Sequence, residues 1–377
     1  MTGYLRHRAG AWRLRVDAGP DPITGKRRHV YRTVAGPDTR TGERAARREL
    51  AKLVTEVDAG RTVPCAGTTM AGLLERYIQH RAPSWSPGAA DETRARIARH
   101  LAPRIGTIAV DRLRPVDLDH LYTRLRAEGL GPSSVARLHD ILRAALRQAV
   151  RWDLITSSPA DRIDPPRRSR SEIVPPSSAD VTRLLDAADP TLRLYIRLSA
   201  VTGARRGQVC ALRWTDVDLD AGEIRWTRAL AKVKGGAVEK GTKTGLRHPV
   251  ALDPATIVEL RDHRIRQAES SLAVGAPLVD DAHLFSRDPA GRQPWHPDGA
   301  TQRFAALRRR LDLEHVRLHD LRHWMATRLL ADGYDIGTLA GRGGWANTTT
   351  PLEVYSHFQP ARDRQAADHL GQALDGP

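Results

Sequence analysis

Two Pro-Pro pairs, Pro165-Pro166 and Pro175-Pro176, bracket a short basic stretch near the middle of this 377-residue chain. Proline removes a backbone donor and fixes φ, so neither a helix nor a central strand runs through such a segment. Residues 165–176 are therefore expected to be a linker, and the apolar residues on each side must be buried in separate bodies. A second break, Gly60-Arg-Thr-Val-Pro-Cys-Ala-Gly-Thr68, lies nearer the N-terminus. The expected division is 1–60, 68–164 and 177–377, which suits a length that allows two or three domains.

The pattern differs from body to body. In residues 1–36, Trp12, Leu14 and Val16 alternate with Arg13 and Arg15, the period of a strand with one apolar and one basic face. A turn is expected at Asp21-Pro-Ile-Thr-Gly25, then a return strand from Lys26 to Val34. A helix over 41–58 carries Ala46, Leu50, Leu53, Val54 and Val57 on one face. This is a small three-stranded sheet backed by one helix. Residues 69–160 read as four helices. Their marks are Met70 to Ile78, Ile97 with Leu101, Val116 to Leu125, and Val135 to Ala149. After the linker, helices are expected at 178–189, 190–201 and 204–213, strands at about 223–252, and helices again at 254–270 and 298–311. The expected class is multidomain and mostly α, with a mixed α+β last domain.

The net charge is +16 and the isoelectric point near 10.7. A chain this basic points to a polyanionic partner, most often nucleic acid. All but six of its sixty basic residues are Arg, a bias that GC-rich coding sequence also produces. Charge alone does not decide the matter. The two cysteines, Cys65 and Cys210, have no metal-ligand spacing, and a reduced, cytoplasmic protein without disulfides is expected. The N-terminus lacks the apolar core of a signal peptide, and no apolar run is long enough for a membrane span.

Chemistry concentrates in the last body. His319 and Arg322 stand three apart in a segment with helical apolar spacing, which sets imidazole and guanidinium on one face. Tyr355 follows after a Gly-rich break. Arg205 follows Thr202-Gly203 and is expected in the first turn of a new helix, where free N–H groups favour an anion. Lys243 lies in the turn Gly241-Thr-Lys-Thr-Gly245, and four of the six lysines crowd into 232–243. A flexible ammonium at a hairpin tip suits a DNA groove and proton donation to a leaving oxygen. Cation, acid/base group and phenol together are what covalent attack on a phosphodiester needs.

Taken together, these segments resemble the catalytic domain of the tyrosine recombinase, or phage integrase, family. The first box of that family, roughly T-G-x-R-x-x-E-L-x-x-L-x-W, is matched well by Thr202 to Trp214. Its hairpin K-T pair is met by Lys243-Thr244, its H-x-L-R-H box by His319 to His323, and its Y-x-H by Tyr355-Ser-His357. The resemblance extends upstream. Residues 1–60 are similar to arm-type DNA-binding domains, and 68–164 to the SAM-like core-binding domain. It implies that Tyr355 attacks the scissile phosphate to give a 3′-phosphotyrosine and a free 5′-hydroxyl. Arg205 and Arg322 would bind the non-bridging oxygens, Lys243 would protonate the 5′-oxygen, and His319 would assist proton transfer at the tyrosine. It further implies no cofactor, no metal, and a homotetramer on double-stranded DNA at core and arm attachment sites. An excisionase or host accessory factor would be a further partner, and a C-terminal tail helix carrying Ala366, Leu370 and Leu374 would pack on its own or a neighbouring protomer.

Two positions depart from the family pattern. Gln208 stands where the first box has Glu, and is expected to support Arg205 more weakly than a carboxylate would. Trp345 stands where a second histidine is usual, and is expected to donate its indole N–H to a phosphate oxygen without transferring a proton. These departures keep a DNA-binding regulator with weak catalysis open beside the recombinase. A type IB topoisomerase-like enzyme is the other alternative, though a separate arm domain fits bivalent holding of two DNA sites better.

Overall fold

Alternation along the first strands does build a sheet. In the computed structural model, which describes residues 3–20, 27–58, 68–168, 174–241 and 249–355, β1 (Gly3–Arg8), β2 (Ala11–Pro20) and β3 (Arg27–Ala35) pair antiparallel in that order. Ala9 and Gly10 join the first two strands with φ of 52° and 75°. Two left-handed residues make the primed turn whose twist matches that of a hairpin. Trp12, Leu14 and Val16 point inward against Ala46, Leu53 and Val57 of α1 (Arg40–Asp58). The register sets Arg15 between Tyr4 and Tyr31 on the opposite, exposed face, with the guanidinium 5.8 Å from the Tyr4 ring centre. The turn expected at 21–25 lies outside the described residues, as do Cys65 and most of the 60–68 break.

Next come α2 (Met70–Arg81), α3 (Pro87–Arg96), α4 (Ala102–Ile105), α5 (Pro115–Ala127) and α6 (Pro132–Arg151), and a separate core forms among α2, α4, α5 and α6. Proline opens α3, α5 and α6, where its missing N–H costs nothing. The second expected helix takes an unforeseen form: Ile97–Leu101 is a π-helical turn between α3 and α4. Pro103 cannot donate to the Arg99 carbonyl, so the ladder widens there. Arg104 Nη1 instead donates to the freed carbonyls of Arg99 (3.3 Å) and His100 (3.0 Å).

These elements lie in the first of two compact units, Met1–Arg170 and Ser171–Pro377, and the boundary falls inside the proline-bracketed segment. The second unit begins with α7 (Ser178–Ala187). Ser177 caps it, and the Asp180 carboxylate accepts the Ser177 N–H in return at 3.1 Å. Then come α8 (Pro190–Thr202) and α9 (Arg206–Ala211). The expected strand patch resolves into two small antiparallel sheets. One joins β4 (Val217–Asp218), β5 (Glu223–Ile224) and β8 (Val250–Ala251). The other is a ribbon of β6 (Arg228–Val233) and β7 (Gly236–Gly241). The chain continues through α10 (Pro254–Ala273), α11 (Pro297–Arg310), α12 (Asp320–Ala331), α13 (Ile336–Gly343) and α14 (Thr349–Tyr355). Tyr195 of α8 is fully buried, stacked on Trp295 and edge-on to Phe285, and a wide apolar core surrounds it. A smaller core of Met325, Ala326, Leu339, Ala340, Trp345 and Tyr355 holds the last three helices together. Among the described residues no helix is long and apolar enough to cross a membrane.

Candidate active site

The site begins where α8 stops. Gly203 adopts φ +65°, and a Cβ there would lie 2.2 Å from the Met325 methyl on α12. Glycine takes this left-handed turn without strain, and any Cβ would make the Met325 methyl move. The chain then enters α9, and here the sequence expectation needs correcting. Arg205 is not in the first helical turn but is the residue before it, in extended conformation (ψ 146°). Its backbone N–H donates to Gln208 Oε1 at 2.9 Å. Gln208 thus closes the helix start from the third position, and the Arg205 side chain stays exposed. Behind it, Gly207 packs on β6, where a Cβ would stand 2.4 Å from the Leu230 carbonyl. Asp298 of α11 receives both Arg206 (3.3 Å) and Lys232 of β6 (2.6 Å). Lys243, beyond the end of β7, lies outside the described residues.

The helix carrying the H-x-L-R-H box likewise starts one residue later than its spacing implied. His319 is the N-cap of α12, and its carbonyl accepts the Arg322 N–H at 3.1 Å. Asp320 is buried and bonds the Arg317 guanidinium at 2.9 Å, which anchors this end of the helix. Arg322, 3% exposed, is held on three sides. Its Nη1 donates to the carbonyls of Gly203 (2.5 Å) and Gly343. Its guanidinium lies 3.6 Å from the centre of the Trp345 ring. Its Nη2 is buried with no partner among the described residues. Burial lowers its pKa to about 9, the Arg205 charge adding to the effect and Tyr355 opposing it. At neutral pH it remains a cation with one unclaimed donor.

Trp345 presents its ring face to Arg322 and lies edge-on to Tyr355 at 6.0 Å. The preceding glycine follows from this, because a Cβ on Gly343 would overlap the indole at 1.9 Å. Tyr355 ends α14 and is 9% exposed. Burial pushes its hydroxyl up to about 12, against the pull of Arg322.

The residue against that hydroxyl is one the sequence left without a role. His323 Nδ1 lies 2.6 Å from Tyr355 Oη. His319, the expected assistant, touches the His323 ring edge-on at 5.0 Å. Desolvation, reinforced by His323, Arg322 and Arg205, lowers the His319 pKa. Desolvation also lowers that of His323, with Asp320 opposing. The last fixed position of the box was the available signal for His323. Its partner across 32 residues was not readable from spacing. His357 lies outside the described residues. Among the described residues no group of three or more His, Cys, Asp or Glu side chains could hold a metal.

Fold and cluster together define a DNA breaking-and-rejoining enzyme of the tyrosine type. Residues 177–362 match the model of the phage integrase family. The ICEBs1 integrase of Bacillus subtilis (strain 168) is 24% identical over 371 residues, 97% of this chain and 98% of its own length. Among solved structures, the Tn1549 transposon integrase in complex with a circular intermediate DNA superposes with a TM-score of 0.69 at 20% identity, covering 80% of this chain and 99% of that one. A lambda integrase tetramer bound to a Holliday junction gives 0.52 at 16% identity, over 94% and 95% of the two chains. Residues 177–362 are therefore a domain of the phage integrase family, and the chain is a tyrosine recombinase.

Proposed function

We propose that Tyr355 attacks a DNA phosphodiester to give a 3′-phosphotyrosine and a free 5′-hydroxyl, and that reversal onto another strand's 5′-hydroxyl completes recombination. The observation that carries this reading is the buried, unclaimed Nη2 of Arg322 beside the tyrosine. A buried donor without an acceptor costs about 1–3 kcal/mol, so such a group waits for a ligand. A phosphate oxygen supplies the acceptor and the counter-charge together. Arg205, exposed at the start of α9, approaches the same phosphate from the open side, and the two guanidinium groups stabilise charge as the fifth bond to phosphorus forms. Lys243 donates the proton to the departing 5′-oxygen. The phosphotyrosine conserves the bond energy, so no nucleotide cofactor is consumed, and the chemistry proceeds without a metal ion.

Residues 1–60 hold arm-type DNA sites, 68–164 hold the core site, and 177–377 carry catalysis. The exposed Tyr4–Arg15–Tyr31 row supports the first of these assignments. The enzyme works in the cytoplasm as a homotetramer on paired attachment sites of a phage or integrative element, with an excisionase or host factor setting direction. The tail after Pro360 docks on the neighbouring protomer, and its removal is expected to abolish synapsis while sparing DNA binding.

The test is a nicked suicide duplex carrying the junction sequence of the element next to the gene. A covalent adduct that survives EDTA and is lost in Tyr355→Phe is expected. Absence of adduct would leave a DNA-binding regulator, and relaxation of plasmid lacking any such junction would indicate a topoisomerase.

A further inference from the structure

We infer that His323, and not His319, is the catalytic group that takes the Tyr355 proton when the strand is cut and returns it when the strand is rejoined. The inference rests on the phosphotyrosine reading above. In the cutting step Tyr355 Oη forms a bond to phosphorus and its proton passes to His323 Nδ1. The P–O5′ bond breaks, and Lys243 protonates the leaving oxygen. Rejoining runs the same transfers backwards.

Three observations support the assignment. The first is contact: Nδ1 to Oη is 2.6 Å, within reach for direct transfer. The second is need. A hydroxyl buried this deeply holds its proton well into the alkaline range, so attack at neutral pH requires an acceptor at the oxygen. The third is the state of the imidazole. The charged and titratable groups facing it are Asp320, Arg317, Arg322 and His319 from its own segment and Tyr355 from α14. Desolvation outweighs Asp320 and leaves the ring neutral at pH 7, so Nδ1 has a lone pair to offer. His319 meets His323 edge-on at 5.0 Å, and the charges of Arg322, Asp320 and Arg205 act on its ring. That position suits contact with the phosphate.

The experiment measures single-turnover adduct formation by the full chain on the suicide duplex, with Tyr355→Phe as the control that tests the underlying reading. His323→Asn is the informative variant. Its amide oxygen falls near the Nδ1 position and keeps an acceptor for the Tyr355 hydroxyl, yet it cannot take a proton. His323→Gln is the second variant. Cleavage is expected to fall by about 10²–10⁴-fold in both, the usual weight of a general base, with DNA binding and melting temperature near wild type in His323→Asn. The wild-type rate is expected to fall on acidification below pH 6.5, and that limb should vanish in His323→Asn. A 5′-bridging phosphorothiolate, whose thiolate leaves without a proton donor, should rescue Lys243→Ala and not His323→Asn. Cleavage by His323→Asn at the wild-type rate or faster would mean that the contact merely holds or restrains the tyrosine. Rescue by the phosphorothiolate would place His323 at the leaving group. Loss of the acid limb in His319→Gln but not in His323→Asn would return the role to His319. Each of the three overturns the inference.

Discussion

Trp345 shows how one side chain sets the state of another. Its ring gives Arg322 a face to lie on and packs at a steep angle against Tyr355, so the guanidinium and the phenol are held at a fixed separation without a hydrogen bond between them. A desolvated cation–π contact contributes about 2 kcal/mol, and truncating a buried Trp costs about 3–5 kcal/mol. Trp345→Phe keeps the face and is expected to cleave within about tenfold of wild type, consistent with the cation–π scale. Trp345→Ala should lose more than this in cleavage rate and lower the melting temperature clearly. Adduct formation and thermal denaturation measured side by side check both, and equal behaviour of Phe and Ala would contradict the stacking role. Gln208 works through the backbone. A neutral acceptor contributes about 0.5–1.5 kcal/mol and a charged one about 1.5–3, and a carboxylate also suits a helix start. Gln208→Glu is therefore expected to raise the unfolding free energy by about 1 kcal/mol and to speed cleavage, read by urea denaturation and adduct formation.

At the scale of elements, the junction between α9 and the β6–β7 ribbon connects Arg205 to the strand pair that leads toward Lys243. Two kinds of contact hold it. Lys232 and Arg206 meet on Asp298, but their side chains are largely solvated, and such pairs contribute about 0–1 kcal/mol. The close approach of Gly207 to the Leu230 carbonyl is the tighter constraint, since a backbone atom cannot rotate away. Gly207→Ala is expected to cost about 1–3 kcal/mol, the usual range for overpacking, and to reduce cleavage although residue 207 touches no reacting group. Asp298→Asn should change stability by less than about 1 kcal/mol. Denaturation curves and adduct yields for the two variants distinguish packing from charge as the link.

At the scale of the whole molecule, the extent of the helices was legible in the sequence because apolar spacing reports buried faces directly. Leu318, Leu321 and Met325 lie against core as their spacing required. Helix starts were less legible. Arg205 and His319 occupy cap positions without being capping residue types, so no local signal marked them. The pairing of His323 with Tyr355 was hidden for a different reason. It exists only after α12, α13 and α14 have packed together with Trp345 in their shared core, a consequence of packing that no short window contains. Burial of this kind also has a global consequence. Desolvation lowers the pKa of His139 in the first unit and of His263, His283 and His323 in the second. Between the lowered folded values and the ordinary value near 6.5, the unfolded chain binds more protons than the native one. The stability these groups provide is therefore fully present above pH 6.5 and is lost as the pH falls. Paired carboxylates such as Asp161 and Asp180, also lowered, act in the same direction only at more acid pH, below their ordinary value. The unfolding free energy of the full chain, read by urea denaturation, is accordingly expected to fall between pH 7 and pH 5. A flat stability curve across that interval would show that these imidazoles protonate in the native state without strain.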